Sequence, residues 1–569
     1  MALPYLESKR IAAKLLLILF FAFEYGYSLY AQNTPFIFKG GSPSDAIISP
    51  NGDLLFFGQF SDSLVINGHS EYINKGLKSK SWGYEDAFIM MYNSKNELKF
   101  KKQLWAIGKN SKPNGEVRPS KICEDRSGNI YITGFFNDDS LHFDNTAIYG
   151  QDSGKRNTID FLIKLNSTGD ILWYKTIKGS GQISSIAADE NGLMIYGDAG
   201  FSITEFDSIK LSIDGLHVHN NALYIARYSS SGKALWVKPI NGDAFDYAGD
   251  LSYTNNGNYF INGSFESSNL ILGKDTLRKE NGNPLFLALI DTGGNFKWAR
   301  QSKGESYVAK TVTDKLGFVY LMGIFYGKEM KLDNIKIERK DTSDLYGNLF
   351  ITKYNINGAP IWAQSYHVNF WPFDILLDNN DDIILGGNYH QDHVVMFDSI
   401  GIKNNGVMDI IIAKLTNMGD VISVISYGAE DSDGGNYLVK NPVSGNVYLG
   451  GFTKSQNLQI EKNTFTNKFN SINNFFTATK FAKLGVETLK YKTDIFLIYP
   501  NPATNIITIQ SNQIFNNLQY TIIDQTGRLI LKGKLNNETT FVDISSLESG
   551  LYFLKIGEAK NMTFKIVKR

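Results

Sequence analysis

The chain of 569 residues contains one cysteine, Cys123, and only seven histidines. A single cysteine excludes internal disulfides and any multi-cysteine metal site. The fold must therefore be held by its core, and Cys123, inside an apolar strand pattern, is expected to be a small buried hydrophobe. Excess charge is absent as well: 57 basic and 57 acidic side chains give a net charge of zero. Nothing in that balance draws nucleic acid or an anionic membrane surface as a partner. No apolar run reaches the ~20 residues that a membrane-spanning helix needs. No GxSxG, HExxH or P-loop signature occurs, which removes the usual sequence marks of a serine hydrolase, a zincin or a nucleotide enzyme.

What is present begins with a leader. Lys9, Arg10 and Lys14 precede the apolar run of nine from Leu15 to Phe23, and small residues follow up to Ala31. This order predicts a secretory signal peptide over residues 1–31, cut before Gln32. No cysteine follows the apolar run, so a lipid anchor is not expected, nor is a transmembrane segment in the mature chain. Without the leader the chain carries 54 basic and 55 acidic side chains.

One sentence recurs along the next 450 or so residues. "GDLLFFGQF" at 52–60 returns as "GNIYITGFF", "NGLMIYGDA", "GNYFINGSF", "GFVYLMGIF", "DDIILGGNY" and "GNVYLGGF". The second glycines, Gly58, Gly134, Gly197, Gly263, Gly323, Gly387 and Gly451, are spaced by 76, 63, 66, 60, 64 and 64. A second block follows the first, as in "DFLIKLNSTGDILWY" and "LFITKYNINGAPIWA". Asn-Gly pairs such as Asn51-Gly52 and Asn256-Gly257 suit tight hairpins. Weak alternation within the apolar runs predicts strands covered on both faces. Four strands per repeat make a small antiparallel sheet that must stack on its neighbours, and closure into a ring shields the edges. The expected fold is all-β: a seven-bladed β-propeller of about 64-residue four-stranded repeats over 32–490, with a parallel solenoid or two stacked sandwiches as alternatives. Trp173, Trp236, Trp298 and Trp362 share one place on the fourth strand and are expected to pack between sheets. "PFIFKGG" at 35–41 resembles the fourth-strand ends, so the first strand is expected to complete the last blade. The copies resemble a bacterial beta-propeller repeat family, best in "EDRSGNIYITGFF" and "DFLIKLNSTGDILW"; the third and sixth depart most. That resemblance implies a scaffold with no common activity.

A further region begins near Asp494. It reads as a small Ig-like β-sandwich over 494–569, with hairpins at "YTIIDQTGRLILKGKL" and "FVDISSLESGLYFLKI" and a closing "FKIVKR". The set "YPNPATN", "DQTGR", "DISSLESGLYFLKI" and "FKIVKR" closely resembles the C-terminal sorting domain of the type IX secretion system of Bacteroidetes-type bacteria. The resemblance assigns the sorting signal to Tyr499, Pro500, Asn501, Pro502, Gly527, Gly550, Lys568 and Arg569. It implies the type IX machinery and a sortase-like protease as partners, removal of the domain near Val486–Asp494, and a secreted or surface-attached product.

Chemistry-bearing residues are sparse. His390 and His393 form an HxxH without the glutamate and helix of a zincin, and read as structural or solvated. His217 and His219 fare no better. Asp431 and Asp433 beside Gly434 resemble half of a calcium loop, with too few ligands alone, and a solvated turn is the commoner reading. No other cofactor is expected. "SYHVNFWPFD" puts Trp371 in line with Tyr247 and nearly with Tyr307 on neighbouring blades. These aromatics could line one mouth of the ring and stack on sugar, or pack between blades. The function expected is a non-catalytic binding protein for glycan or protein. The alternative is a polysaccharide hydrolase or lyase at the propeller mouth.

Overall fold

The computed structural model describes residues 35–479 and 496–569, apart from 74–84, 108–114, 138, 151–157, 178–180, 200–202, 213–221, 255, 281, 340–346, 367–370, 391–394, 398–399, 403, 468–472, 512–516, 538 and 558–562. The leader, the junction near 486–494, and His217, His219 and His393 lie outside the described residues.

Every named element among the described residues is a strand. The second repeat shows the plan. Val117–Glu124, Ile130–Asn137, Thr158–Leu165 and Ile171–Ile177 form a four-stranded antiparallel meander in chain order. The two middle strands are buried along nearly their whole length, because neighbouring sheets cover both faces. The first strands of all the repeats, Phe36–Ile48, Val117–Glu124, Gln182–Asp189, Asp246–Thr254, Ser306–Thr313, Trp371–Leu377 and Asp433–Lys440, lie side by side in that order. The last lies beside the first, so the series closes around a central shaft and the chain is a β-propeller.

Strand Phe36–Ile48 belongs to two blades. Phe36–Phe38 pairs antiparallel with Asn474–Phe476 and becomes the outer strand of the last blade. From Phe38 onward it also pairs with Leu54–Ile66, with register breaks at Lys39/Gly41 and Pro43/Asp45, and becomes the inner strand of the first blade. Gly40 turns the chain at φ 76°. A Cβ there would meet the Ser63 carbonyl oxygen at 2.1 Å, so the crossing needs glycine. Phe36, Phe38, Phe56, Tyr448 and Phe476 share one core cluster across this seam.

Each repeat also carries a two-stranded hairpin between its second and third strands, as at Ser140–Phe143 with Thr146–Tyr149 and Asn269–Leu272 with Asp275–Arg278. These strands were not expected, and they lengthen the repeat. Ser140–Phe143 pairs with Leu98–Ile107, and Glu329–Leu332 pairs with Phe296–Lys303. The hairpin of one blade thus covers the outer edge of the blade before it, where an open strand would invite pairing with another chain.

The expected inter-sheet role of the tryptophans is observed in detail. The indole N–H groups of Trp173, Trp236, Trp298 and Trp362 donate to the carbonyls of Ser230, Thr292, Ile356 and Asn417 in the next blade, at 3.0, 3.1, 2.8 and 3.2 Å. Cys123 is half-buried against the core cluster that holds Trp173 and Tyr131.

The C-terminal region forms a three-stranded sheet ordered Phe496–Tyr499, Ile506–Ser511, Thr539–Asp543. A four-stranded sheet ordered Leu529–Leu535, Leu518–Asp524, Gly550–Ile556, Thr563–Lys568 accompanies it. Ile498, Ile507, Ile522, Val542, Leu554 and Ile566 from both sheets share one buried core.

Candidate functional site

The first strands enter the ring at one face, and a recurrent register places one residue of each at the rim. Tyr247 pairs with Ser264, Tyr307 with Ile324 and Trp371 with Asn388, each one residue past the second glycine of its repeat. The three expected aromatics are therefore equivalent positions on three consecutive blades, Tyr307 included. Their relative exposures are 45%, 38% and 49%. Trp371 is half open to solvent; the side chain that packs at this bend is its neighbour Phe373, whose ring lies against Gly386 and Gly435. At the same register the other blades carry Ser42, Arg118, Gln182 and Gly434.

Polar groups border the aromatic arc. The Tyr247 hydroxyl donates to Glu266 Oε1 at 3.2 Å, and Asn283 Nδ2 donates to the same oxygen at 3.4 Å. Lys279 Nζ donates to Asn283 Oδ1 at 2.9 Å. Partial burial and then the Glu266 charge push the Tyr247 hydroxyl above the usual tyrosine range. Tyr307 meets Tyr326 edge to face, with ring centroids 5.8 Å apart. Arg118, on the second blade, is gripped by Glu116 and by Glu85, whose Oε2 is 2.8 Å from Nη1. Partial burial holds the Glu85 carboxyl above its usual range, although Arg118 pulls it down. Such an arc offers flat apolar faces for stacking beside oriented hydrogen-bonding groups. Glu266 and Tyr326 each lie three residues after the second glycine of their repeat, Gly263 and Gly323. A repeat-by-repeat alignment therefore holds the signal that could have found them.

The other sequence candidates are held by bonds of their own. Asp433 is fully buried, and its oxygens accept from Thr453 Oγ1 at 2.6 Å, Ser455 Oγ at 2.8 Å and the Ala429 N–H at 2.8 Å. Asp431 accepts from the Ser432 N–H at 2.7 Å. Asp246 makes the same kind of contact with Ser267 Oγ at 2.7 Å. These donors point hydrogens at the space a cation would fill. Among the described residues no group of three or more His, Cys, Asp or Glu is arranged to hold a metal ion. His390 ends the strand Ile383–His390, exposed.

In the C-terminal sandwich the structure brings together the two halves of the sorting motif. Asn501 Nδ2 donates to the Lys565 carbonyl at 2.7 Å, and Asn501 Oδ1 accepts from the Val567 N–H at 2.8 Å. The Ala503 N–H donates to the Val567 carbonyl at 2.8 Å, and the Arg569 N–H to the Ala503 carbonyl at 2.9 Å. Both X-Pro bonds, Tyr499-Pro500 and Asn501-Pro502, are cis. Gly550 pairs with Lys568 on the far side of the terminal strand. Gly527 lies elsewhere, at φ 86° in a turn capped by Asp524.

Residues 497–569 match the family of secretion system C-terminal sorting domains. The chain thus carries a type IX sorting domain and is a secreted or cell-surface protein. An uncharacterized WD repeat-containing protein of Acanthamoeba polyphaga mimivirus is 21% identical over 209 residues, which is 31% of this chain and 14% of that protein, so only a small part of that relative's length is spanned. Among solved structures, PorZ, a surface component of the type-IX secretion system of Porphyromonas gingivalis, has 11% identity, a TM-score of 0.24, and 93% and 82% of the two chains covered. A Synechocystis apocarotenoid oxygenase has 9% identity, a TM-score of 0.35, and 90% and 96% covered. At these scores the structural likenesses carry no argument about activity. No helix among the described residues is long and apolar enough to cross a membrane.

Proposed function

We propose that this protein is a binding protein delivered to the cell surface or medium by type IX secretion, and that it takes a glycan at the propeller mouth framed by Tyr247, Tyr307 and Trp371. The observation that carries the reading is the arc itself: three half-exposed aromatic side chains at one register on consecutive blades, bordered by the Tyr247–Glu266–Asn283 hydrogen bonds. Exposed aromatics at adjacent positions leave apolar surface in water unless a ligand covers it. On this reading the mature chain starts near Gln32, the propeller runs to about residue 490, and a sortase-like protease removes the domain that begins near Asp494.

A hydrolase or lyase acting on polysaccharide is the second reading. The Glu85 and Glu116 carboxylates beside Arg118, at the rim register of the second blade, favour it. A glycan-array screen of the secreted protein, with bound glycans analysed for cleavage, tests both. Retention of intact glycan supports binding, whereas shortened or unsaturated products support the enzyme.

A further inference from the structure

The polar border of the aromatic arc is built on the fourth blade, and it is one-sided. Phe245, 37% exposed, lies two residues before Tyr247, and its carbonyl accepts from the Glu266 N–H at 2.9 Å. Glu266 is thus tied through its backbone to Phe245 and through its carboxylate to Tyr247. Both donors that reach the carboxylate, the Tyr247 hydroxyl and Asn283 Nδ2, go to Oε1. No donor among the described residues reaches Oε2, and Glu266 is only half-buried. Lys279 supplies the balancing charge, but its Nζ is engaged: it donates to Asn283 Oδ1 at 2.9 Å and to the Glu266 carbonyl at 3.3 Å.

The same corner runs on into the fifth blade. The Ser306 N–H donates to the Asn283 carbonyl at 2.9 Å, and a Cβ on Gly282 would meet Glu305 Cβ at 2.6 Å. Exposed Glu305 therefore stands beside this network, two residues ahead of Tyr307. Across the ring, the Arg118 guanidinium at the rim of the second blade is held by Glu85 and Glu116. These placements set what a ligand must bring. A carboxylate oxygen only accepts, so Oε2 needs a hydroxyl or N–H from the ligand. An acidic sugar would bring a further carboxylate to Glu266 and Glu305, with Lys279 and Arg118 already engaged. An amino sugar would bring its ammonium beside that of Lys279. An uncharged pyranose meets both needs, with a C–H face for the Tyr247 ring and hydroxyls for Oε2.

We infer, resting on the glycan-binding reading above, that the corner of Phe245, Tyr247, Glu266 and Asn283 is the selecting subsite of the mouth: it takes a neutral hexose residue and turns away uronic acids and amino sugars. Tyr247 and Asn283 occupy Oε1 of Glu266 and so leave Oε2 as the oxygen that a sugar hydroxyl meets. The selection comes from the Glu266 charge as much as from its contact, because a site rejects a wrong ligand by what it leaves unpaired or repelled.

The test is calorimetric titration of the full-length secreted protein with matched 1,4-linked hexasaccharides: galactose against galacturonic acid, mannose against mannuronic acid, and glucose against glucosamine. A neutral member is expected to bind about tenfold or more tightly than its charged counterpart. In Glu266→Gln the preference over the acidic counterpart should shrink several-fold, because a repelling charge is gone and the amide can donate. Charged members bound as well as neutral ones, a preference that Glu266→Gln leaves unchanged, or no binding of any of these sugars by the folded chain overturns the inference. The glycan reading itself falls only if the wider glycan array also shows no binding.

Discussion

The Trp298 indole N–H donates to the carbonyl of Ile356, 2.8 Å away in the next blade, and the turn glycine Gly358 lies flat on the same indole. A Cβ at Gly358 would come within 2.7 Å of the ring, and the residue sits at φ 79°. The same pairing joins Trp173 with Gly232 and Trp236 with Gly294. The bond between blades is thus a tryptophan on one sheet and a glycine turn on the next.

Trp298 is 7% exposed, so Trp298→Ala leaves a cavity and forfeits the hydrogen bond. A loss of about 3–5 kcal/mol is expected, read as a lowered denaturant midpoint. Gly358→Ala, with no large group removed, should also destabilise, because both the left-handed backbone and the indole oppose a methyl group. A midpoint unchanged by either variant would show that the clasp does not hold the blades.

Ring closure predicts a second effect. Among the described residues, Phe36–Phe38 supplies the outer strand of the last blade. Phe38→Asp would put a charge into the seam with Phe56 and Phe88, where an unpaired buried charge is strongly disfavoured. Calorimetry should show loss of a single cooperative transition. A variant that melts as sharply as wild type would mean that the seam contributes little.

Stability should rise as pH falls from about 7 to about 5. Burial pushes the Asp198, Asp246, Asp374 and Asp409 carboxyls up to about 6, and Glu124 to about 7. A folded-state value above the unfolded one means that the folded chain binds more protons in this window. Each group's cost to stability therefore builds as pH rises from the unfolded value near 4 to the folded value, is full above it, and vanishes below about 4. Asp189, held low by Arg227 and Tyr259 against its own burial, acts in the opposite sense, and its contribution is lost only as pH drops below about 4. Tm measured from pH 4 to 8 should peak near 5; a Tm that climbs steadily toward pH 8 would contradict this balance.

The sorting domain offers a finer test than truncation. Asn501 holds the terminal strand through Lys565 and Val567. Asn501→Ala removes both bonds while Pro500 and Pro502 stay. Cells carrying it should accumulate the protein in the periplasm without its signal peptide, as should cells lacking residues 564–569. Immunoblots of cell fractions decide this, and normal surface delivery of both chains would show that export does not read the terminal strand.

Much of this architecture could be read in the sequence, for physical reasons. The second glycine recurs because the inner strand crosses over it. At Gly323 a Cβ would meet the Tyr307 carbonyl oxygen at 2.2 Å and the Phe350 ring at 2.8 Å. Tryptophan recurs because each blade must grip the next. The inserted hairpins were missed although their turns carry a signal. Asn67, Asp144, Asp207 and Asp333 all stand at positive φ, where Asn and Asp are favoured, but strands of four residues, as at Ser140–Phe143, are too short to show a period. The rim aromatics were aligned from sequence, yet their exposure was not legible, since Trp371 and the packed Phe373 are two residues apart with similar hydrophobicity. The roles of Asp45 and Asp374, which accept from the Ile122 and Leu438 N–H groups of the next blade, were invisible because those partners lie 77 and 64 residues away.

The most direct check on the binding account pairs affinity with stability in one variant. Trp371 is 49% exposed, so Trp371→Ala should shift folding stability by no more than about 0.5 kcal/mol, as at ordinary surface positions. The affinity of the secreted protein for whichever glycan the array selects should fall about tenfold or more, since exposed aromatics carry a large share of binding energy. The glycan should be recovered uncut from both chains. Unchanged affinity in Trp371→Ala, or a cleaved glycan in the wild-type sample, would contradict a binding mouth built on this aromatic arc.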